Sequence, residues 1–380
     1  MKKEFCNPFM RKDGREIRNR QEWEEQREAY LAFLRHSLYG NMPKWGEAVW
    51  GEVISRELCY GERAVRELTS IRIFGGDHEG IRVTIVRPNS MERVPVIVWN
   101  CYKNLESCPI EEEVVCERKF AIAGFDREEI AWDGEQDGIL DDLYPECGWG
   151  RIAQWSWGSS RIIDYLETTS FALPDRYIVT GHSRGGKVSL CTGIFDERIA
   201  LCHANDSGCG GAGSIHFSGS RFGMGIGDCE TLELVYRQFP YWWGKNMKEF
   251  ADSGKEFPID AHIMRAAVAP RAILTTEAYG DTWSNPYGTL AAWRAAQEVF
   301  SFLECPENNG IHYREGGHGF LEIDWRTLID YYDMCYRNRK EKISAVYFPK
   351  DWKEDEDRFD WKNIRLHYGW HYPHQETGSE

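Results

Sequence analysis

A serine between glycines, then carboxylates at strand ends, then a histidine between glycines: this order of residues is where the chain could do chemistry. Ser183 lies in Gly181-His182-Ser183-Arg184-Gly185, directly after a β-branched run that ends at Thr180. A serine on the sharp turn between a strand and a helix presents its hydroxyl beyond the sheet, and glycines two positions to either side relieve the crowding a Cβ would cause there. Such a pattern recurs by chance in a chain with 36 glycines, so its weight comes from context. Tyr177–Thr180 reads as a buried strand, and Lys187–Phe195 carries helical spacing at Val188, Leu190, Cys191 and Ile194. Ser183 is the candidate nucleophile.

A serine nucleophile needs a base, and the base needs a carboxylate to orient it; on a doubly wound sheet of this kind they follow in the order Ser, Asp or Glu, His. Ala272–Thr276 reads as a strand opening into a turn-rich loop that holds Asp281. Ile311–Arg314 reads as a last short strand, followed by Glu-Gly-Gly-His-Gly with His318 between glycines. His318 is the expected base and Asp281 the favoured acid. Asp206, after the strand expected at Ile199–His203, is the alternative acid, although Asn-Asp-Ser-Gly is also ordinary turn chemistry.

These residues, with several separated blocks, resemble the glucuronoyl esterases (4-O-methyl-glucuronoyl methylesterases, carbohydrate esterase family 15). The blocks are YGNMP at 39–43, DDLYP at 141–145, WSWGSSRIIDYLET at 155–168, GHSRGGK at 181–187, DERIAL at 196–201, NDSGCGGA at 205–212, FPYWW at 239–243, FPIDAHIMRAAVAPR at 257–271 and DTWSNPYG at 281–288. The resemblance implies an α/β-hydrolase fold, a three-layer sandwich around a mostly parallel central sheet, and hydrolysis of 4-O-methyl-glucuronate esters that join xylan to lignin alcohols. It places the family's serine on Ser183, its histidine on His318, its oxyanion arginine on Arg184 and its uronate-binding lysine on Lys187. Its sugar-contacting glutamate falls on Glu230 and a pocket tryptophan on Trp283. The family's acid is a Glu at the position of Asp206 or an Asp at the position of Asp281; the shorter side chain at 206 favours Asp281. The segment at 213–230 departs from the family, because neutral and glycine residues replace a basic stretch.

Independently of the family, Arg184 offers a permanently charged fork and the amide after Ser183 another donor to a developing oxyanion. The ordinary alternative is a surface arginine paired with a carboxylate. Lys187, four residues after Ser183, falls one turn along the same helix face, where a first-turn lysine is more often solvated. A second oxyanion donor is expected from the loop at 101–109.

Sixteen tryptophans are far above ordinary usage. Most are expected in the core; WSWGSSRIIDYLET reads as a packed amphipathic helix, whereas Trp242, Trp243 and Trp283 lie in loops where exposure beside a site is plausible. His203, His216, His262, Cys202 and Cys209 lack zinc-site spacing, His262 reads as structural, and the acidic run at 135–142 reads as a solvated loop. No metal or other cofactor is expected.

The 380 residues suffice for one α/β-hydrolase domain, 1–380, with a helical N-terminal extension over about 1–55, where Tyr30, Leu31, Leu34 and Leu38 share a face, and a tail over about 348–380. Further strands are expected near 70–75, 82–87 and 94–99. A net charge of −15 argues against nucleic acid or an anionic membrane as partner. The expected partner is a carbohydrate ester; the oligomeric state is left open. Without an apolar run of about 7–15 residues near the start, and with twelve scattered cysteines, a cytoplasmic location is expected, or secretion if the natural chain begins earlier. Three functional readings compete: a glucuronate esterase, an acetyl(xylan) esterase of the same fold, and a catalytically silent binding protein. Lys187, Glu230 and Trp283 favour the first over the second.

Overall fold

The computed structural model describes residues 5–45, 49–74, 78–101, 107–218, 229–251, 257–339 and 343–347, together with the backbone of 366–367. A short parallel pair, β1 (Phe5–Cys6) and β12 (Leu366–His367), stands apart from the main sheet. The main sheet contains β2 (Trp50–Cys59), β3 (Ala64–Arg72), β4 (Ile81–Pro88), β5 (Val94–Cys101), β6 (Ala121–Asp126) and β7 (Ala172–His182). It continues with β8 (Ile199–Asn205), β9 (Ala272–Ala278), β10 (Asn309–Arg314) and β11 (Val346–Tyr347). The spatial order is β11-β10-β9-β8-β7-β5-β6-β4-β3-β2, parallel from β11 to β6 and antiparallel through β4, β3 and β2.

The central strands are apolar on both faces because both faces are covered. Val96 and Val98 of β5 join one core, with Tyr177 and Val179 of β7, while Ile97, Trp99 and Ile178 join the other. The first core also takes residues from α1 (Arg20–Leu34), α3 (Arg151–Glu167), α4 (Arg184–Phe195), α7 (Ala261–Ala266) and α8 (Pro286–Phe302), and the second takes its helical cover chiefly from α9 (Glu322–Tyr336). Short helices α2 (Ile139–Leu143), α5 (Leu232–Gln238) and α6 (Lys248–Ala251) lie in the connections. Chain order reverses at β5, with β6 on one side and β7 on the other, which opens a crevice at the carboxyl ends of the strands.

Several expectations are corrected. The helical extension ends earlier than residue 55, because Trp50–Cys59 is an edge strand exposed on both faces and therefore lacks an alternating apolar signal. Helix α3 is packed as expected but buried nearly all round, since it lies between the sheet and other helices, so its polar face, where Arg161 pairs with Asp164, is covered as well. The acidic run at 135–142 is partly helical: Asp141 accepts from the Gly138 amide and pairs with Arg151. Among the described residues no helix is long and apolar enough to cross a membrane. The expected tail over 348–380 lies outside the described residues, apart from the backbone at 366–367.

Candidate active site

Four successive strands of the chain, β7 to β10, deliver the chemistry-bearing side chains at their carboxyl ends. Ser183 follows β7 with φ 55° and ψ −121° and immediately precedes α4. A serine in that region is strained by about 1–3 kcal/mol, so the surroundings must enforce it. They do: the Ser183 amide donates to the Asn205 carbonyl at 2.9 Å, and Asn100 Nδ2 straps the turn through Thr180 O (2.9 Å) and Gly185 O (3.2 Å). Both motif glycines are sterically required, since a Cβ on Gly181 would stand 2.5 Å from Gly185 O and one on Gly185 2.6 Å from Asn100 Oδ1.

Asp281, at the start of the loop after β9, lies beside His318 in the loop after β10. Asp281 Oδ2 accepts from His318 Nδ1 at 2.6 Å and from the Ser284 hydroxyl at 2.5 Å. Burial is the largest single influence and opposes charge on both partners, but their mutual hydrogen bond, the Ser284 donors to Asp281 and the neighbouring charges together outweigh it: His318 is raised above the ordinary histidine range and Asp281 is held below the carboxylate range. With Nδ1 engaged, His318 Nε2 is the nitrogen left for the nucleophile. Among the described residues no hydrogen bond yet joins Ser183 Oγ to His318, a link that commonly closes only with substrate.

Asp206 is not hydrogen-bonded to His318. Its Oδ1 accepts from the Ala278 amide at 2.8 Å, and its Oδ2 accepts from Arg314 Nη2 at 2.9 Å and from the Gly319 amide at 3.2 Å. Burial pushes its carboxyl up to about 7, against the pull of Arg314. Asp206, Asp281 and His318 form the group of potential metal ligands among the described residues. Its donor set is already committed, because N–H and O–H donors hold these carboxylate oxygens.

Arg184 is not a free surface arginine. Its guanidinium bonds Asp133, lies 4.8 Å from the Trp242 ring centroid and 5.3 Å from that of Phe239. Asp133 is itself fixed by Trp242 Nε1 at 2.9 Å. The Arg184 amide, at the first position of α4, has no intrahelical partner by geometry and adds a second donor beside Ser183. Lys187 is buried, contrary to the first-turn expectation: Nζ donates to Ser207 O at 2.6 Å and to Glu230 Oε2 at 2.9 Å. Glu230 Oε2 also accepts from the Cys209 amide at 2.8 Å, and the Glu230 amide donates to Trp283 O at 2.9 Å. Lys187, Glu230 and Trp283 thus form one connected cluster.

Trp283 is 40% exposed, whereas Trp242 and Trp243, expected near the surface, are each 3% exposed because FPYWW folds under the site as the support of Arg184. His262 is buried, with Nε2 against Cys6 O at 2.9 Å. Most of the loop expected to give a second oxyanion donor, residues 102–106, and most of the neutral segment, residues 219–228, lie outside the described residues. Sequence reasoning missed Asp133, Ser284 and Arg314. Ser284 had a local signal, three residues after Asp281 in a turn; Asp133 and Arg314 act across long separations that no spacing reveals.

A sequence model described as glucuronyl esterase, fungi, matches residues 73–304. Carbohydrate esterase MZ0003, from an unknown prokaryotic organism, is 36% identical over 209 residues, covering 51% of this chain and 46% of that relative, so the chain spans less than half of its length. The 4-O-methyl-glucuronoyl methylesterase of Schizophyllum commune is 27% identical over 352 residues, covering 90% of this chain and 84% of the relative. Among solved structures, a carbohydrate esterase family 15 glucuronoyl esterase from Caldicellulosiruptor kristjansonii superposes with a TM-score of 0.77 at 25% identity, covering 96% of this chain and 97% of that one.

Proposed function

The chain belongs to the glucuronyl esterase family, and from that premise we propose that it is a serine carboxylic-ester hydrolase cleaving (4-O-methyl-)glucuronate esters of xylan-derived saccharides through an acyl-enzyme. The observation that carries the reading is the 2.6 Å bond between His318 Nδ1 and Asp281 Oδ2 at the strand ends beside the strained Ser183. Ser183 Oγ attacks the ester carbonyl carbon while His318 Nε2 takes its proton, and Asp281 holds the imidazole in the tautomer that can do so. Charge developing on the carbonyl oxygen meets the Arg184 amide and the guanidinium that Asp133 and Trp242 hold in place. Collapse of that intermediate expels the alcohol, protonated by His318, and water then attacks the acyl-enzyme by the same route in reverse. The buried Lys187–Glu230 pair supplies a donor and an acceptor for sugar hydroxyls, with Trp283 as an exposed ring face beside them.

The test compares the protein with Ser183→Ala on benzyl glucuronate and on 4-nitrophenyl acetate. Uronate ester turnover that vanishes in the variant, with acetate much slower, is the expected result. Serine-dependent acetate turnover without uronate activity would favour the acetyl esterase, and turnover of neither would reject an esterase acting on either ester.

A further inference from the structure

His182, the residue before the nucleophile, packs its ring against His318 with centroids 4.3 Å apart and planes 47° from parallel. We propose that His182 is a positioning residue: its imidazole ring is the wall that keeps His318 turned toward Ser183. The inference rests on the esterase reading of Ser183 and His318.

His318 needs such a wall. It sits between Gly317 and Gly319, with Gly316 at φ 97°, and its side chain is 41% exposed. The hydrogen bond to Asp281 fixes Nδ1 but leaves the ring free to swing about that contact; packing on one ring face removes the swing. Because His182 and Ser183 are consecutive, wall and nucleophile share one stretch of backbone, so the distance from His318 to the serine is set by a single strand end.

The network beneath makes His182 a donor at Nδ1. Asn205 Nδ2 donates to Thr276 Oγ1 at 2.9 Å, which turns Asn205 Oδ1 toward His182 Nδ1 at 2.6 Å. Burial and the neighbouring His318 push His182 down to about 4. The groups acting on the pair are Asp281 and Arg314 on His182, and Asp281, Asp206 and Glu230 on His318. An uncharged ring face accepts the imidazolium that forms on His318 during the reaction, where a charged neighbour at this distance would oppose it.

The experiment compares His182→Ala, His182→Phe and His182→Gln in the full chain. The first readout is the rate at which an alkyl fluorophosphonate modifies Ser183, followed by intact mass; this requires the serine and its base but no particular ester. The second is kcat and KM on whichever ester the unaltered protein turns over. His182→Ala is expected to slow modification and kcat roughly 10- to 100-fold with KM nearly constant, the effect of a misplaced base. His182→Phe, which keeps a flat ring, is expected to recover most of that loss. Should the alanine variant fail to fold, the other two decide: Gln keeps a donor to Asn205 without a ring and is expected slow, Phe keeps the ring without the donor and is expected fast. Equal rates for Ala and the unaltered protein, or Gln faster than Phe, would overturn the proposal. Fluorophosphonate reactivity without uronate ester turnover would count against the substrate reading alone.

Discussion

Asp206 and Asp281 stand at neighbouring strand ends, and their carboxylate atoms and a ring nitrogen of His318 all lie within 4.8 Å of one another. Proximity at that range does not separate their parts. Their hydrogen bonds do: Asp281 turns Oδ2 to His318 and Ser284, while Asp206 turns both oxygens to the Ala278 and Gly319 amides and to Arg314. Arg314 in turn reaches the carbonyls of Gly317 and Gly319 on either side of His318. One aspartate orients the histidine's ring and the other anchors the histidine's loop. A carboxylate's part in a site follows from which donors occupy its lone pairs.

The sharpest way to break this comparison is Asp281→Asn. Loss of a triad acid costs about 10⁴-fold in kcat when the base falls into the wrong tautomer. The pH dependence has a definite sign. His318 works as a base only when neutral, and Asp281 raises it, so kcat/KM should climb with pH through a midpoint above the ordinary histidine range. In Asp281→Asn that limb moves to lower pH while the plateau falls; a stationary limb in the kcat/KM profile would contradict the assignment. The pair also contributes to folding. The histidine's share is full below its unfolded pKa and is lost as pH rises through the raised folded value. The aspartate's share is full above its unfolded pKa and is lost as pH falls through the depressed one. The variant's deficit in urea unfolding should therefore be greatest between about pH 4 and 6.5.

Asp206→Asn tests the other half. It takes a charged partner from Arg314, a side chain 7% exposed that retains Asp324 at 2.8 Å. The expected loss is about 1–3 kcal/mol of stability in urea unfolding, because an amide nitrogen in place of Oδ2 leaves the Arg314 and Gly319 donors without their acceptor. The fall in kcat is smaller than for Asp281, about 10-fold, because the loop slackens while the tautomer survives. The acid limb should move slightly downward where the Asp206 carboxyl is ionised, above about pH 7, since that charge also raises His318. A larger kcat loss here than in Asp281→Asn would exchange the two roles.

What the sequence made legible is local. The elbow could be read because Gly181, Ser183 and Gly185 meet a steric demand within five residues, and β7, β9 and β10 because apolar runs end in turn residues. The choice between two aspartates was less legible, since both follow strands and both sit in turns. The difference in their hydrogen bonds comes from Arg314, which engages Asp206 and lies 108 residues from it in the chain. The support of Arg184 was hidden for the same reason: Asp133 and Trp242 reach it from separate connections, and Trp242 looked like a loop residue because burial under a site leaves no periodic trace. Edge strand β2 was missed because exposure on both faces erases the alternation that marks a strand.

The smallest expected effect belongs to Ser284→Ala, and it separates orientation of the acid from its charge. The Ser284 hydroxyl lies 2.5 Å from Asp281 Oδ2 and 3.3 Å from His318 Nδ1, and its single proton goes to the carboxylate. Its loss removes one donor that holds Asp281 below the carboxylate range, but the bond from His318 remains, so Asp281 stays ionised at neutral pH. The rotation of the carboxylate is loosened, and the longer 3.2 Å contact from the hydroxyl to the Asp206 carbonyl goes with it. The expected fall in kcat is about 3- to 10-fold, the worth of one hydrogen bond, with the acid limb of kcat/KM almost unmoved. A shift of that limb as large as in Asp281→Asn would mean that Ser284, not the histidine, governs the charge on Asp281, and the division between an orienting and an anchoring aspartate would then rest on the hydroxyl.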